Sequence, residues 1–152
     1  MYDTSLSSHD NQRPVSARLV GSWRVVSYEL EFQDGSDRAF PLGTNPNGYL
    51  ILGSDGRMMT YLEAQRRKAP QTDEERSAAY KTLITYTGKY RVQGNQWTTE
   101  VDGAWNVEWV GTEQERSFTL NGDRLHVVTP WFQGALYSGK TFRGHLTFER
   151  ER

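Results

Sequence analysis

The sequence contains no cysteine, which excludes a disulfide framework, thiolate metal ligation and a cysteine nucleophile together. It also lacks a long apolar run: nothing approaches the ~20 residues that a membrane-spanning helix requires. Residues 1–17, MYDTSLSSHDNQRPVSA, carry no apolar stretch of the secretory kind, so the reading is a cytoplasmic protein without a membrane partner. An excess of either charge is missing, with 18 Lys and Arg against 19 Asp and Glu and a net charge of -1. Such a chain has no field that draws it onto nucleic acid or an anionic bilayer. No Gly-x-Gly-x-x-Gly follows a strand and no phosphate-binding Gly-Lys-Ser/Thr loop is present, while GSDG at 53–56 has the composition of a hairpin turn rather than a serine elbow. The three histidines are His9, His126 and His145. The last two alternate with Leu125 and Leu146, so an inward leucine turns each imidazole outward; neither a metal site nor an axial haem ligand is expected, and no cofactor is expected.

What the chain does have is aromatic residues, 5 Trp, 8 Tyr and 6 Phe in 152 residues, and many short β-rich runs. A length of this size suits one domain. Residues 1–17 mix Ser, Asp, Asn and Gln without periodicity and read as a disordered leader, followed by a domain over 18–152. Turn chemistry recurs at GSDG (53–56), QGN (93–95), VDG (101–103) and NGD (121–123), each placing Gly beside Asp or Asn where hairpins need positive φ. Strands are expected at 19–32, 48–53, 57–63, 85–93, 96–101, within 105–118, at 124–129 and at 144–150. One helix is expected over 73–84, since Thr72 and Glu75 have the spacing of a capping box and Ala79, Tyr80, Leu83 and Ile84 would share one apolar stripe. Arg66, Arg67 and Lys68 precede it and read as a solvated loop. The predicted fold is therefore all-β, an antiparallel up-and-down barrel of about eight strands with one α-helix.

Gly21-Ser22-Trp23 on the first strand and Arg150 in LTFER on the last are similar to the pair that lipocalins place at the closed end of their barrel. Together with PLGTNPNGYLILGSDGRMMTYL (41–62), YKTLITYTGKYRV (80–92) and WVGTEQERSFTLNGDRLHVVTP (109–130), they make the chain resemble the bacterial and fungal lipocalin-like domain family over about residues 19–150. The resemblance implies a compact barrel with Arg150 covering Trp23. Two stretches depart from it: WTTEV (97–101) stands where a His-containing strand is expected, and residues 130–144, PWFQGALYSGKTFRG, are longer and more aromatic than usual.

If Trp23 points inward, simple alternation turns Val25, Ser27 and Glu29 inward as well. The same parity gives Met59 and Tyr61, Tyr86 and Tyr90, Trp97, Gln114, Arg116 and Phe118 as further lining residues. Trp131 and Phe132 join them if residues 130–144 fold over the open mouth as a lid hinged near Gly134 and Gly139, the alternative being a strand extension or an oligomer contact. Trp105 and Trp109 read as core or rim. Two functions fit such an interior: binding of a small, largely apolar organic molecule oriented by Tyr and Arg groups, or a cofactor-free cyclase or isomerase of secondary metabolism with Glu29, Tyr61 and Arg116 as candidate catalytic groups. The expected assembly is a monomer or homodimer.

Overall fold

A computed structural model describes residues 13–134 and 137–152. His9, Leu136 and most of the leader lie outside the described residues. Nine strands form one antiparallel sheet: β1 (Gly21–Phe32), β2 (Asn47–Leu52), β3 (Arg57–Glu63), β4 (Leu83–Gln93), β5 (Gln96–Ala104), β6 (Glu113–Asn121), β7 (Arg124–Val128), β8 (Phe132–Gln133) and β9 (Thr141–Arg150). Neighbours follow chain order from β1 to β7, β7 pairs with β9, and β9 pairs with β1, which closes the barrel and removes its free edges. The extra strand β8 lies beside the first residues of β9, continuing the line of β7 after Thr129 and Pro130 interrupt it. Residues 130–144 therefore include the strand extension that the sequence left as an alternative.

The closed end is built around Trp23, which is fully buried and donates from Nε1 to the Leu19 carbonyl at 2.9 Å. Leu19 ends a short helix, α1 (Val15–Leu19), that corrects the expected leader: Val15 and Leu19 stand one turn apart and both pack on the core, so the chain is ordered before residue 18. Arg150 covers the other face of Trp23, as the family resemblance implies.

Helix α2 spans Asp73–Tyr80, shorter than expected. Its start follows the sequence, with Thr72 Oγ1 accepting from Glu75 N and Glu75 reaching back to Gln71 N. Its end does not. Leu83 and Ile84 pair with Glu63 and Leu62 on β3 and thus belong to a strand, so α2 presents no buried stripe. The GSDG, QGN and NGD turns form as expected, with Gly56, Gly94 and Gly122 at positive φ. VDG forms no turn, because β5 runs through it to Ala104. A shift of register against β4 there lets Gly88 meet β5 so closely that a Cβ would lie 2.0 Å from the Glu100 carbonyl oxygen.

Candidate functional site

Above the Trp23 plug the barrel holds a cavity of about 610 Å³. Its wall includes Leu30, Leu50, Leu62, Ile84, Val127 and Leu146, and its mouth is ringed by Pro41, Lys81, Trp105, Trp109, Gln133 and an aromatic lip. That lip is Phe32, Phe132, Tyr137 and Phe142, with the Tyr137 ring 5.5 Å from Phe32 and 5.3 Å from Phe142. On the opposite side of the mouth Trp109 packs edge-on to Trp105 and against Tyr86, centroids 5.2 and 5.1 Å apart.

The first strand decides which polar groups enter. Val25 pairs with Phe148 and Ser27 with Thr147, so Val26 is an extra residue in β1, a β-bulge. Such a bulge reverses the alternation beyond it. Tyr28, Leu30 and Phe32 turn inward, and Ser27 and Glu29, expected inside, lie outside. Glu29 pairs with Arg38 at 2.9 Å on the exterior and has no contact with Arg116. Gly144 on β9 leaves room for the Tyr28 ring, since a Cβ there would stand 3.0 Å from Tyr28 Cε2.

Met59 and Tyr61 also lie outside, correcting the parity expected for β3. Trp23 faces Leu50, Leu50 faces Thr60, and residues opposite each other across antiparallel strands share a face. Met58, Thr60 and Leu62 are therefore the inward set. Tyr61 donates its hydroxyl to Glu63 at 2.7 Å, and Met59 joins Tyr49 and Ile51 on an exposed apolar stretch of the outer wall. Trp131 is a further correction: it faces outward under Arg143, whose guanidinium carbon is 4.3 Å from the ring centre. Tyr90 and Phe118 are inside the fold but away from the cavity. Tyr90 donates to the Gly53 carbonyl at 2.8 Å beside the closed end, and Phe118 packs on Trp97 with centroids 5.5 Å apart. Of the expected lining, Tyr86, Trp97, Gln114, Arg116 and Phe132 do reach the cavity.

Tyr28, Lys81, Trp105, Trp109, Tyr137 and Phe142 complete it and were not among the expected site residues. The parity of Tyr28 was recoverable, because the apolar positions of β1 change from odd numbers (Trp23, Val25) to even ones (Tyr28, Leu30, Phe32), which is what a single bulged residue produces. The five mouth residues on loops and at strand ends had no such signal.

Polar chemistry in the cavity is one-sided. Arg116 on β6 is buried and stands opposite Trp97 on β5, and Nη1 donates to the Glu115 carbonyl at 2.8 Å. No carboxylate pairs with it among the described residues, and no Asp or Glu lines the cavity. Trp97 Nε1 and Thr99 Oγ1 are buried without a hydrogen-bond partner among the described residues, and of the two only Trp97 lines the cavity. The Tyr28 hydroxyl is pushed up to about 12 by burial, which outweighs the opposing pull of the Arg116 charge, and the Tyr137 and Tyr86 phenols add to the rise. Tyr28 is thus a neutral donor throughout the physiological range.

On the outer wall a second polar group closes on itself. Glu31 accepts from Arg143 Nε at 2.6 Å and from His145 Nε2 at 2.8 Å, while His145 Nδ1 meets His126 Nε2 at 3.1 Å. The two imidazoles face outward, as their alternation with Leu125 and Leu146 implies.

The family model described as a lipocalin-like domain matches residues 20–151, and the chain belongs to that family. No curated protein matches the chain. A crystal structure of an uncharacterized protein from Bacteroides eggerthii is similar at 11% identity and a TM-score of 0.41, over 87% of this chain and 98% of that one. No helix among the described residues is long and apolar enough to cross a membrane.

Proposed function

We propose that this lipocalin-like barrel binds one small, largely apolar organic molecule in its interior. The observation that carries the reading is the cavity itself: about 610 Å³ of space inside the barrel, walled by aliphatic and aromatic side chains. Small-molecule sites typically measure about 300–1,000 Å³ and combine apolar walls with a few polar groups that fix orientation. Burying an apolar ligand there gains about 25 cal/mol for each Å² removed from water, and the barrel, closed on itself, needs little rearrangement to receive it.

A cyclase or isomerase would use the same cavity, but two of its three candidate groups, Glu29 and Tyr61, point away from it. Arg116 and Tyr28 remain as groups able to stabilise developing negative charge, whereas no carboxylate base lines the cavity among the described residues. Binding is accordingly the reading we adopt.

Titration with an apolar dye whose emission rises on leaving water, such as N-phenyl-1-naphthylamine, is expected to saturate at about one site per chain. Leu146→Trp, which fills the middle of the wall, is expected to abolish the signal while leaving the β-sheet circular dichroism intact. A folded wild-type protein that takes up no dye would refute the reading.

A further inference from the structure

Several donors in the cavity are short of acceptor partners among the described residues. Arg116 offers its guanidinium with only a backbone carbonyl as partner, Trp97 Nε1 has none, and the hydroxyls of Tyr28 and Tyr86 have no hydrogen-bond partner among the described residues. All four side chains line the same space, and Lys81 adds a second cation at the mouth. No Asp or Glu among the described residues lines that space to balance them.

A buried arginine left in this state is costly, because a desolvated charge needs a counter-charge or a full set of acceptors. This chain shows what a structural arginine looks like. Arg150 donates to the Val20 and Arg18 carbonyls at 3.0 and 2.5 Å, approaches Asp123 at 3.3 Å through Nε, and lies over the Trp23 ring. Arg143 is likewise taken up by Glu31 and Trp131. Arg116 has one backbone carbonyl and, among the described residues, neither a carboxylate nor an aromatic face, although it is more deeply buried than Arg143.

We infer that the molecule held in the cavity is an apolar monocarboxylic acid, its carboxylate seated against Arg116 and the Trp97 indole N–H. This rests on the cavity-binding reading above and adds the chemical class of the ligand. A carboxylate supplies an acceptor to each unpaired donor and cancels the Arg116 charge, and charge-assisted bonds of that kind are stronger than neutral ones. The remaining wall, from Leu50 and Leu62 to the aromatic lip, receives the apolar body. A phosphate fits less well: one buried guanidinium and one indole N–H offer it no backbone nest and no second buried cation at the same spot. Tyr28 supports the assignment, since a phenol that stays protonated donates to an oxygen anion and does not repel it.

The test compares 11-(dansylamino)undecanoic acid with its methyl ester, two probes that differ only in the charge of one end. Wild-type protein at pH 7 is expected to bind the acid about tenfold or more tightly than the ester, the usual size of a hydrogen bond to a charged group. Arg116→Met is expected to erase that difference, lowering acid affinity about tenfold while the ester stays within about twofold. Trp97→Phe removes one N–H and keeps the ring; it is expected to weaken the acid alone, and it provides a reading should Arg116→Met not fold. Equal binding of acid and ester by the wild-type protein would overturn the carboxylate assignment and leave cavity binding standing. Binding of neither probe by folded protein would overturn both.

Discussion

Arg150 lies on Trp23, its guanidinium carbon 4.3 Å from the ring centre, and the two come from opposite ends of the barrel's chain, on β9 and β1. The pair does more than cap one end. Through Nη1 and Nη2 it also holds the carbonyls around α1, so the helix, the first strand and the last strand are joined at one point. Trp23 Nε1 and the Arg150 guanidinium are both taken up by partners within the fold, which is the character of a structural site.

Replacing Trp23 with Ala is therefore expected to cost about 3–5 kcal/mol, the range for deleting a large buried aromatic. Chemical denaturation measures it directly. A midpoint unchanged from wild type would mean that Trp23 does not plug the barrel.

Arg116 is expected to behave in the opposite way. Because its charge is buried without an acidic partner, Arg116→Met in ligand-free protein should raise stability by about 1–3 kcal/mol, as replacing buried charges by apolar side chains often does. Calorimetry would register this as a rise of about 2–4 °C for each kcal/mol in a domain of this size. The same substitution is expected to weaken binding of an acid, so stability and affinity move apart. A loss of stability would indicate that Arg116 serves the fold.

The fold was legible in the sequence because its signals are local and repeated. Gly-Asp and Gly-Asn turns delimit three of the hairpins, and the resemblance of Trp23 and Arg150 to the lipocalin pair marks the closing strands. Which side chains enter the cavity was less legible, since alternation carries parity only as far as the next irregularity. One extra residue at Val26 reversed the rest of β1. In β3 the sequence MMTYL is apolar at both parities, Met58 and Leu62 on one face and Met59 and Tyr61 on the other, so the pattern alone could not choose. Register with Trp23, carried through Leu50 to Thr60, makes the choice. The mouth is assembled from residues distant in the chain, Trp109, Phe132 and Tyr137 among them, and only the closed barrel brings them together.

Acid should weaken the fold through the outer-wall network. Glu31 is held down to about 2 from an ordinary value of 4.5, first by the Arg143 and then by the His145 hydrogen bond. His126 is lowered from 6.5, first by burial, then by His145 and by Arg38, whose own carboxylate partner is Glu29. Both groups have folded values below their unfolded ones, so their contributions are present above the unfolded values and are lost as pH falls through the folded ones. Melting temperature is expected to decline below about pH 6.5 and more steeply between pH 4.5 and 2. Glu31→Gln should be less stable than wild type at pH 7 and converge with it toward pH 2. Parallel curves for the two proteins across that interval would show that Glu31 does not contribute.

The rim is where exchange of the ligand should be controlled. Tyr137 sits between Phe32 and Phe142, and the turn that carries it is tied to the neighbouring end of β1 by Lys140, whose Nζ is 3.0 Å from Ser36 Oγ, 3.4 Å from Asp34 and 5.3 Å from the Phe32 ring centre. Aromatic pairs of this geometry are worth about 0.5–1.5 kcal/mol each. Removing the Tyr137 ring should therefore speed dissociation of the dansyl acid by about three- to tenfold, with little change in the midpoint of unfolding. Stopped-flow displacement reads the rate. Trp131→Ala is the matched control, an aromatic of the same segment that faces outward under Arg143 and should leave dissociation unchanged. If Tyr137→Ala releases the probe no faster than wild type, while light scattering shows a wild-type dimer that the variant has lost, the segment is an interface between copies rather than a cover over the mouth.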